Sequence, residues 1–185
     1  WYECDKIRFR QGFPEQIGGW IRTSANTFLG VCRSIWAWSL LNGEKLRGVG
    51  TNLKIYVDVS GTYYDVTPIR ETTAAGDVTF DATDGSTTIT VTDTNNGAVA
   101  GDFVTYSGAA TLGGTVTDVV LNAEYQITTL ISANIYEIEV AVAANASDTG
   151  NGGASVVGTY QENSGPEIQV PIQGWGAGIW SLGEW

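Results

Sequence analysis

The sequence predicts a mainly β protein, and three observations carry that expectation. Its 24 glycines and 7 tryptophans, with only 16% charged residues, lean towards the turn-rich, aromatic-rich usage of all-β chains. Apolar and polar residues alternate with period two in many short segments, as in Leu53-Lys54-Ile55-Tyr56-Val57-Asp58-Val59 and Thr87-Thr88-Ile89-Thr90-Val91-Thr92. Those segments are separated by Asn-Gly, Ser-Gly, Asp-Gly and Gly-Gly pairs, the usual punctuation of hairpins. The 185 residues allow one domain or two small ones. A hydrophobic fraction of 43% excludes a disordered chain, and no run approaches the roughly 18 apolar residues of a spanning helix. The chain therefore reads as a soluble, folded protein with no membrane insertion.

Taken in order, Ile7-Arg8-Phe9-Arg10 alternates apolar and basic and predicts a short strand, ended by the Phe13-Pro14 and Gly18-Gly19 signals. Phe28 to Leu41 has a passable helical face in Phe28, Leu29, Cys32, Ile35, Trp36 and Leu40. Strand is the preferred reading, because Trp36 and Trp38 alternate around Ala37 and aromatics favour sheets. Asn42-Gly43 predicts a tight hairpin into Lys45 to Val49. After Gly50-Thr51-Asn52 comes Leu53 to Val59, with Leu53, Ile55, Val57 and Val59 expected on a dry face and Lys54, Tyr56 and Asp58 on a wet one. Ser60-Gly61 then leads to Thr62 to Val66, closed by Pro68. Three or four short antiparallel strands in about 40 residues have the size of one propeller blade.

Near Arg70 the composition shifts to Thr, Ala, Gly, Asp and Val. Strands are expected over Thr87 to Thr92, Phe103 to Tyr106, Glu124 to Leu130, Tyr136 to Val142 and Val156 to Tyr160, with Asn145 to Ser155 as loop. That stretch makes an inserted small β-barrel or sandwich of about 90 residues. The expected organisation is 1–70 as a propeller-blade-like segment, 71–161 as an inserted acidic Thr/Gly-rich β domain, and 162–185 as a Gly/Trp-rich return segment.

Charge follows the same division. All nine Lys and Arg lie in the first 70 positions, where six acids leave a net +3; residues 71–185 hold 14 acids and no Lys or Arg. An acidic surface repels phosphate, so only the first unit is a candidate for contact with a polyanion. Arg8, Arg10, Arg22, Arg33, Lys45 and Arg47 are the candidate contacts with a DNA path, against the plainer reading of ordinary surface cations.

Several chemistries are excluded or unsupported. No histidine is present, which removes histidine triads, histidine-ligated zinc and the commonest general base. Asp81, Asp84 and Asp93 lack the pattern of a calcium loop, and turn chemistry accounts for them. Gly48-Val49-Gly50 and the glycines of 174–178 open no helix suited to nucleotide phosphates. Paired carboxylates have no diagnostic value among 20 acids. No cofactor, metal or enzymatic activity is expected. Cys4 and Cys32 are too few for a disulfide framework and read as free, partly buried thiols. The chain opens at Trp1 with no methionine, so it is expected to be processed or a piece of a longer protein.

Trp175, Trp180 and Trp185 stand five apart among glycines. That spacing makes no helical stripe, since five residues turn about 500°. Such rings serve as assembly anchors or as stacking platforms for sugars, and anchoring is the preferred role.

Taken together, Ile7-Arg8-Phe9-Arg10-Gln11-Gly12-Phe13-Pro14-Glu15-Gln16-Ile17-Gly18-Gly19-Trp20, Gly50-Thr51-Asn52-Leu53-Lys54-Ile55-Tyr56 and Tyr63-Tyr64-Asp65-Val66-Thr67-Pro68-Ile69-Arg70 resemble the opening of large virion proteins of marine short-tailed, podovirus-like bacteriophages. The likeness continues through Gly97 to Gly108 and ends at Gly174 to Trp180, so it covers most of the chain. The resemblance implies a propeller-like body with inserted β domains in a tail tubular or nozzle component. Such proteins are several times longer, and the resemblance supplies no catalytic residues. The expected function is therefore structural: a virion protein, assembled in the host cytoplasm, that forms a homo-oligomeric ring with other tail proteins around packaged DNA. The alternative is a receptor- or carbohydrate-binding module of a tail fibre or extracellular adhesin, its tryptophans stacked on a host surface glycan. A depolymerase is a third reading, resting only on the supply of carboxylates.

Overall fold

A computed structural model of the chain describes residues 7–18, 22, 24–112 and 114–162. The protein is mainly β, with antiparallel sheets throughout, as its composition and periodicity predict. The first hairpin joins β1 (Ile7–Arg10) to β2 (Phe13–Gln16). Its turn is Gln11-Gly12, both with positive φ, so Phe13-Pro14 opens a strand instead of ending one. Pro14 is tolerated because this is a two-stranded sheet with open edges.

The second sheet is a four-stranded meander of β3 (Cys32–Ser39), β4 (Lys45–Thr51), β5 (Ile55–Val59) and β6 (Thr62–Asp65), in that spatial order. Phe28 to Leu41 thus contributes a strand and no helix, since Trp36 and Trp38 pair across the ladder with Gly48 and Leu46. The β3–β4 turn is closed by Asn42, whose Oδ1 accepts from the Glu44 N–H at 3.0 Å, and by Gly43 at φ 87°.

The wet and dry faces of β5 are the reverse of the sequence expectation. Lys54, Tyr56 and Asp58 are buried, while Ile55 is exposed and Val57 and Val59 are half-buried. The reason is pairing: each buried polar group on this strand has a partner, whereas the apolar side has no element packed over it among the described residues. Segment 24–31 covers the polar side. Phe28 meets the Tyr63 ring edge-on at 5.0 Å, and the Leu29 N–H donates to the Tyr56 hydroxyl at 3.2 Å. Gly30, at φ 86°, passes where a Cβ would come within 2.8 Å of both Asn52 Oδ1 and Thr51 Oγ1.

The third sheet has eight strands: β7 (Ile69–Thr72), β8 (Thr79–Ala82), β9 (Thr88–Thr92), β10 (Phe103–Ser107), β11 (Glu124–Ser132), β12 (Ile135–Glu139), β13 (Asp148–Asn151) and β14 (Val157–Gln161). Their order is β13-β8-β9-β12-β11-β10-β14-β7. β13 lies inside the tract that composition assigns to loop, and it pairs with β8. One helical turn, α1 (Asp118–Leu121), is capped by the Thr117 hydroxyl. The sheet curls. Strands four places apart would lie about 19 Å apart in a flat sheet, yet Phe80 of β8 and Tyr106 of β10 have ring centroids 4.9 Å apart. Bulges in β11 help the bend. The interior holds Val78, Phe80, Ile89, Val91, Val104, Ile127, Ile138 and Val156, all essentially inaccessible. Each fully buried side chain of this size contributes about 1.5–3 kcal/mol.

A polar chain threads this core. The Tyr106 and Tyr136 hydroxyls are 2.5 Å apart, Tyr136 and Tyr160 are 2.7 Å apart, and Tyr160 donates to Asp93 Oδ2 at 2.6 Å. Asp93 is therefore the buried terminus of a tyrosine chain, which corrects its assignment to turn chemistry. Burial pushes its carboxyl up, against the hydrogen bond from Tyr160. Burial raises all three tyrosines too, Tyr136 to about 12.

Candidate assembly surface

The register of the four-stranded sheet sorts its side chains into two faces. One carries three cross-strand rows: Ser34, Gly50 and Ile55; Trp36, Gly48, Val57 and Tyr64; Trp38, Leu46, Val59 and Thr62. No charged side chain stands in these rows. Trp36 is 74% exposed, Tyr64 55% and Ile55 39%. Two glycines on β4 make a trough in the middle of the face. The Trp38 ring lies across Gly48, 3.3 Å from where a Cβ would stand, so any side chain there would displace it. Isolated exposed apolar residues need no explanation, but a contiguous aromatic and aliphatic sheet face does. Its aromatic rings alone, at roughly 150–250 Å² each when fully covered, give an exposed patch on the order of several hundred Å², in the range of recognition surfaces.

The opposite face mixes Ile35, Ala37, Val49 and Tyr56 with charged groups that are satisfied. Arg47 donates through Nε to Asp58 Oδ2 at 2.8 Å and also through Nη2, while the Gly61 N–H donates to Asp58 Oδ1 at 2.7 Å. The bond from Asp58 outweighs the cost of partial burial and raises the Arg47 guanidinium further. At the end nearest the curled sheet, Lys54 reaches Asp65 Oδ2 at 2.6 Å and Glu124 Oε1 at 2.5 Å, and lies 4.5 Å from the centre of the Phe103 ring. Burial, the largest influence, disfavours the Lys54 ammonium, yet the two carboxylates together lift it above its ordinary value. Burial likewise pushes the Asp65 carboxyl up, but bonds from Lys54 and Thr67 outweigh it and hold it low. This clamp joins Lys54, just before β5, and Asp65 of β6 to Glu124 of β11. Period-two alternation alone puts Lys54 in solvent, because nothing local records a partner 70 positions away.

The sequence-predicted cations are scattered among several places. Arg8 pairs with Glu15 at 3.0 Å on the first hairpin, and Arg10 is exposed on the same strand. Arg33 lies exposed on β3. Arg22 and Arg47 line one cavity, and Lys45 and Arg47 line its neighbour. Trp175, Trp180 and Trp185 lie outside the described residues, as does Cys4. Cys32 is a free, half-buried thiol, its Sγ 3.6 Å from the Ser34 carbonyl. Asp81, Asp84 and Asp93 do not converge, and no group able to hold a metal occurs among the described residues. No helix among them is long and apolar enough to cross a membrane. The aromatic face itself was not singled out from sequence. The Trp36-Ala37-Trp38 alternation facing Gly48 and Gly50 was the available signal.

No protein-family model matches the chain, and no curated protein matches it. Among solved structures it is similar to the phage phi92 endosialidase, with a TM-score of 0.38 and 18% identity, over 70% of this chain and 17% of that one.

Proposed function

We propose that this chain is a structural component of a bacteriophage tail, of the tube or nozzle type, that works by assembly into a ring around the DNA path. The observation that supports this reading is the uncharged face of Trp36, Trp38, Leu46, Val57, Val59 and Tyr64, set on a four-stranded antiparallel sheet with a glycine trough. A flat apolar sheet face of this kind is stabilised by packing against another sheet about 10 Å away. Rings close through head-to-tail contacts between unlike surfaces, so the partner face on the next copy differs from this one. Trp175, Trp180 and Trp185 serve the same assembly as anchors, and Arg8, Arg10 and Arg33, exposed on the first hairpin and on β3, border the DNA. In this reading the chain acts by packing and not by catalysis.

The test is single-particle imaging of the native particle, paired with sedimentation of the chain carrying Trp36→Ser and Tyr64→Ser. A closed ring that the double substitution breaks into monomers is the expected result. A wild-type chain that stays monomeric at all concentrations overturns the proposal.

A further inference from the structure

A second site lies on the opposite, polar side of the same sheet, independent of the assembly reading. Segment 24–28 crosses that face and, with Arg22, bounds a cavity of about 320 Å³ lined by Arg22, Ser24, Asn26, Thr27, Phe28, Arg47 and Tyr63. A neighbouring groove of about 420 Å³ shares Arg47 and adds Lys45. The first cavity has no acidic residue in its lining. The groove has one, Asp58, and both of its carboxylate oxygens are already engaged, Oδ2 by Arg47 and Oδ1 by the Gly61 N–H. Asp58 therefore orients Arg47 and balances its charge, so the net positive charge of the two cavities comes from Arg22 and Lys45. Arg47 uses Nε and Nη2 on Asp58, which leaves Nη1 for a ligand. Arg22 and Lys45 have no acidic partner among the described residues; Arg22 makes only a long 3.4 Å contact to the Asn26 carbonyl.

The walls are built from within the fold. Ser24 Oγ and Asn26 Nδ2 both donate to the Gly61 carbonyl, at 2.5 and 2.9 Å, and so pin the segment to the β5–β6 turn. Phe28 and Tyr63 hold each other edge-to-face at 75°. Two guanidiniums thus sit beside an aromatic wall and a rim of hydroxyl and amide groups, in a cavity of the size of a small-ligand site. Guanidinium supplies charge-assisted bonds to an oxyanion. Aromatic wall and hydroxyl rim suit the apolar face and hydroxyls of a pyranose ring.

We infer that this cavity binds an acidic sugar, its carboxylate on Arg22 and Arg47 and its ring against Phe28 and Tyr63, as one residue of an acidic glycan. Duplex DNA is the less favoured occupant. The site is a depression lined by two arginines, one of them already paired with Asp58, and not the row of cations that tracks a phosphate backbone.

The experiment is calorimetric titration of the full chain with a glucuronate-containing tetrasaccharide, its carboxyl-reduced neutral counterpart, inorganic phosphate and a short DNA duplex. The expected result is saturable binding of the acidic tetrasaccharide, at least tenfold weaker binding of the neutral one and of phosphate, and none of DNA. Arg22→Ala and Tyr63→Ala are each expected to weaken the acidic sugar about tenfold or more. Arg22 is exposed, so its variant tests the site even where Tyr63→Ala disturbs folding. Equal binding of phosphate, tighter binding of DNA, affinity unchanged in Arg22→Ala, or no binding of the acidic sugar each overturns the inference.

Discussion

At the scale of single residues, the buried polar groups decide more than the apolar ones. Lys54 is 2% exposed between two carboxylates, and its removal leaves Asp65 and Glu124 facing each other without a cation. Lys54→Met is expected to cost about 2–4 kcal/mol at pH 7, read as a shift in the urea midpoint. The contribution follows the Asp65 shift: a carboxyl held low stabilises the fold above its unfolded pKa, and that stability is lost as pH falls through the lowered folded value. The difference between Lys54→Met and wild type should therefore shrink below pH 4 or so. Asp93 has the opposite sign. Its raised carboxyl means that the folded state holds the proton more tightly, so wild type loses stability as pH rises through the folded pKa. Asp93→Asn should gain on wild type over that same interval, and a difference independent of pH would refute the assignment. Because Tyr160 donates to Asp93, the chain of donors runs from Tyr106 through Tyr136 to Tyr160. Tyr106→Phe removes only its first donor and should cost least. Tyr136→Phe leaves the Tyr106 hydroxyl unpaired and should cost about 1–3 kcal/mol, with Tyr160→Phe highest because it bares a carboxylate.

At the scale of elements, β5 shows where sequence reading stops. Its alternation is plain, and the strand is where the pattern puts it. Which side is inside is not written in it, because the pattern of Leu53, Ile55, Val57 and Val59 carries no information about whether anything packs upon them. In the unassembled chain, Val57→Thr should change stability by less than about 1 kcal/mol. Asp58→Ala should cost about 2 kcal/mol or more by freeing the Arg47 guanidinium and the Gly61 N–H. The reverse order in thermal melts would put Val57 and Val59 inside and Asp58 in solvent. β13 was missed for a related reason. Its Asp148-Thr149-Gly150-Asn151 sequence has turn composition and no strand propensity, and pairing with the edge of β8 makes it a strand. Gly43, by contrast, was legible: a two-residue Asn-Gly turn needs a positive φ there, and the backbone supplies it at 87°.

At the scale of the whole molecule, the net charge of -11 sets how copies approach each other. Like-charged copies repel over a Debye length of about 30 Å at 0.01 M salt and about 8 Å at 0.15 M. An assembly driven by the apolar face should therefore grow as salt is raised over that range, as measured by sedimentation. An assembly held by ion pairs should fall apart instead, and that outcome would assign the contact to the cations of the first unit. The clamp at Lys54 belongs to this scale too, since it ties the meander to the curled sheet through residues 70 apart in sequence.

The amino-acid sequence by itself determined the class of the protein. Period-two alternation, aromatic and β-branched segments and glycine turns are local properties, and they produce antiparallel strands wherever the chain goes. The same holds for the turns at Asn42-Gly43 and Ser60-Gly61 and for the concentration of cations before position 71. Tertiary structure alone decided which face of each strand is inside, which carboxylate meets Lys54, that Asp93 ends a chain of tyrosines, and that Arg22 and Arg47 share a cavity. Those outcomes depend on groups far apart in the chain, and the free energy of a buried polar group is set by the partner it meets and not by its neighbours in sequence.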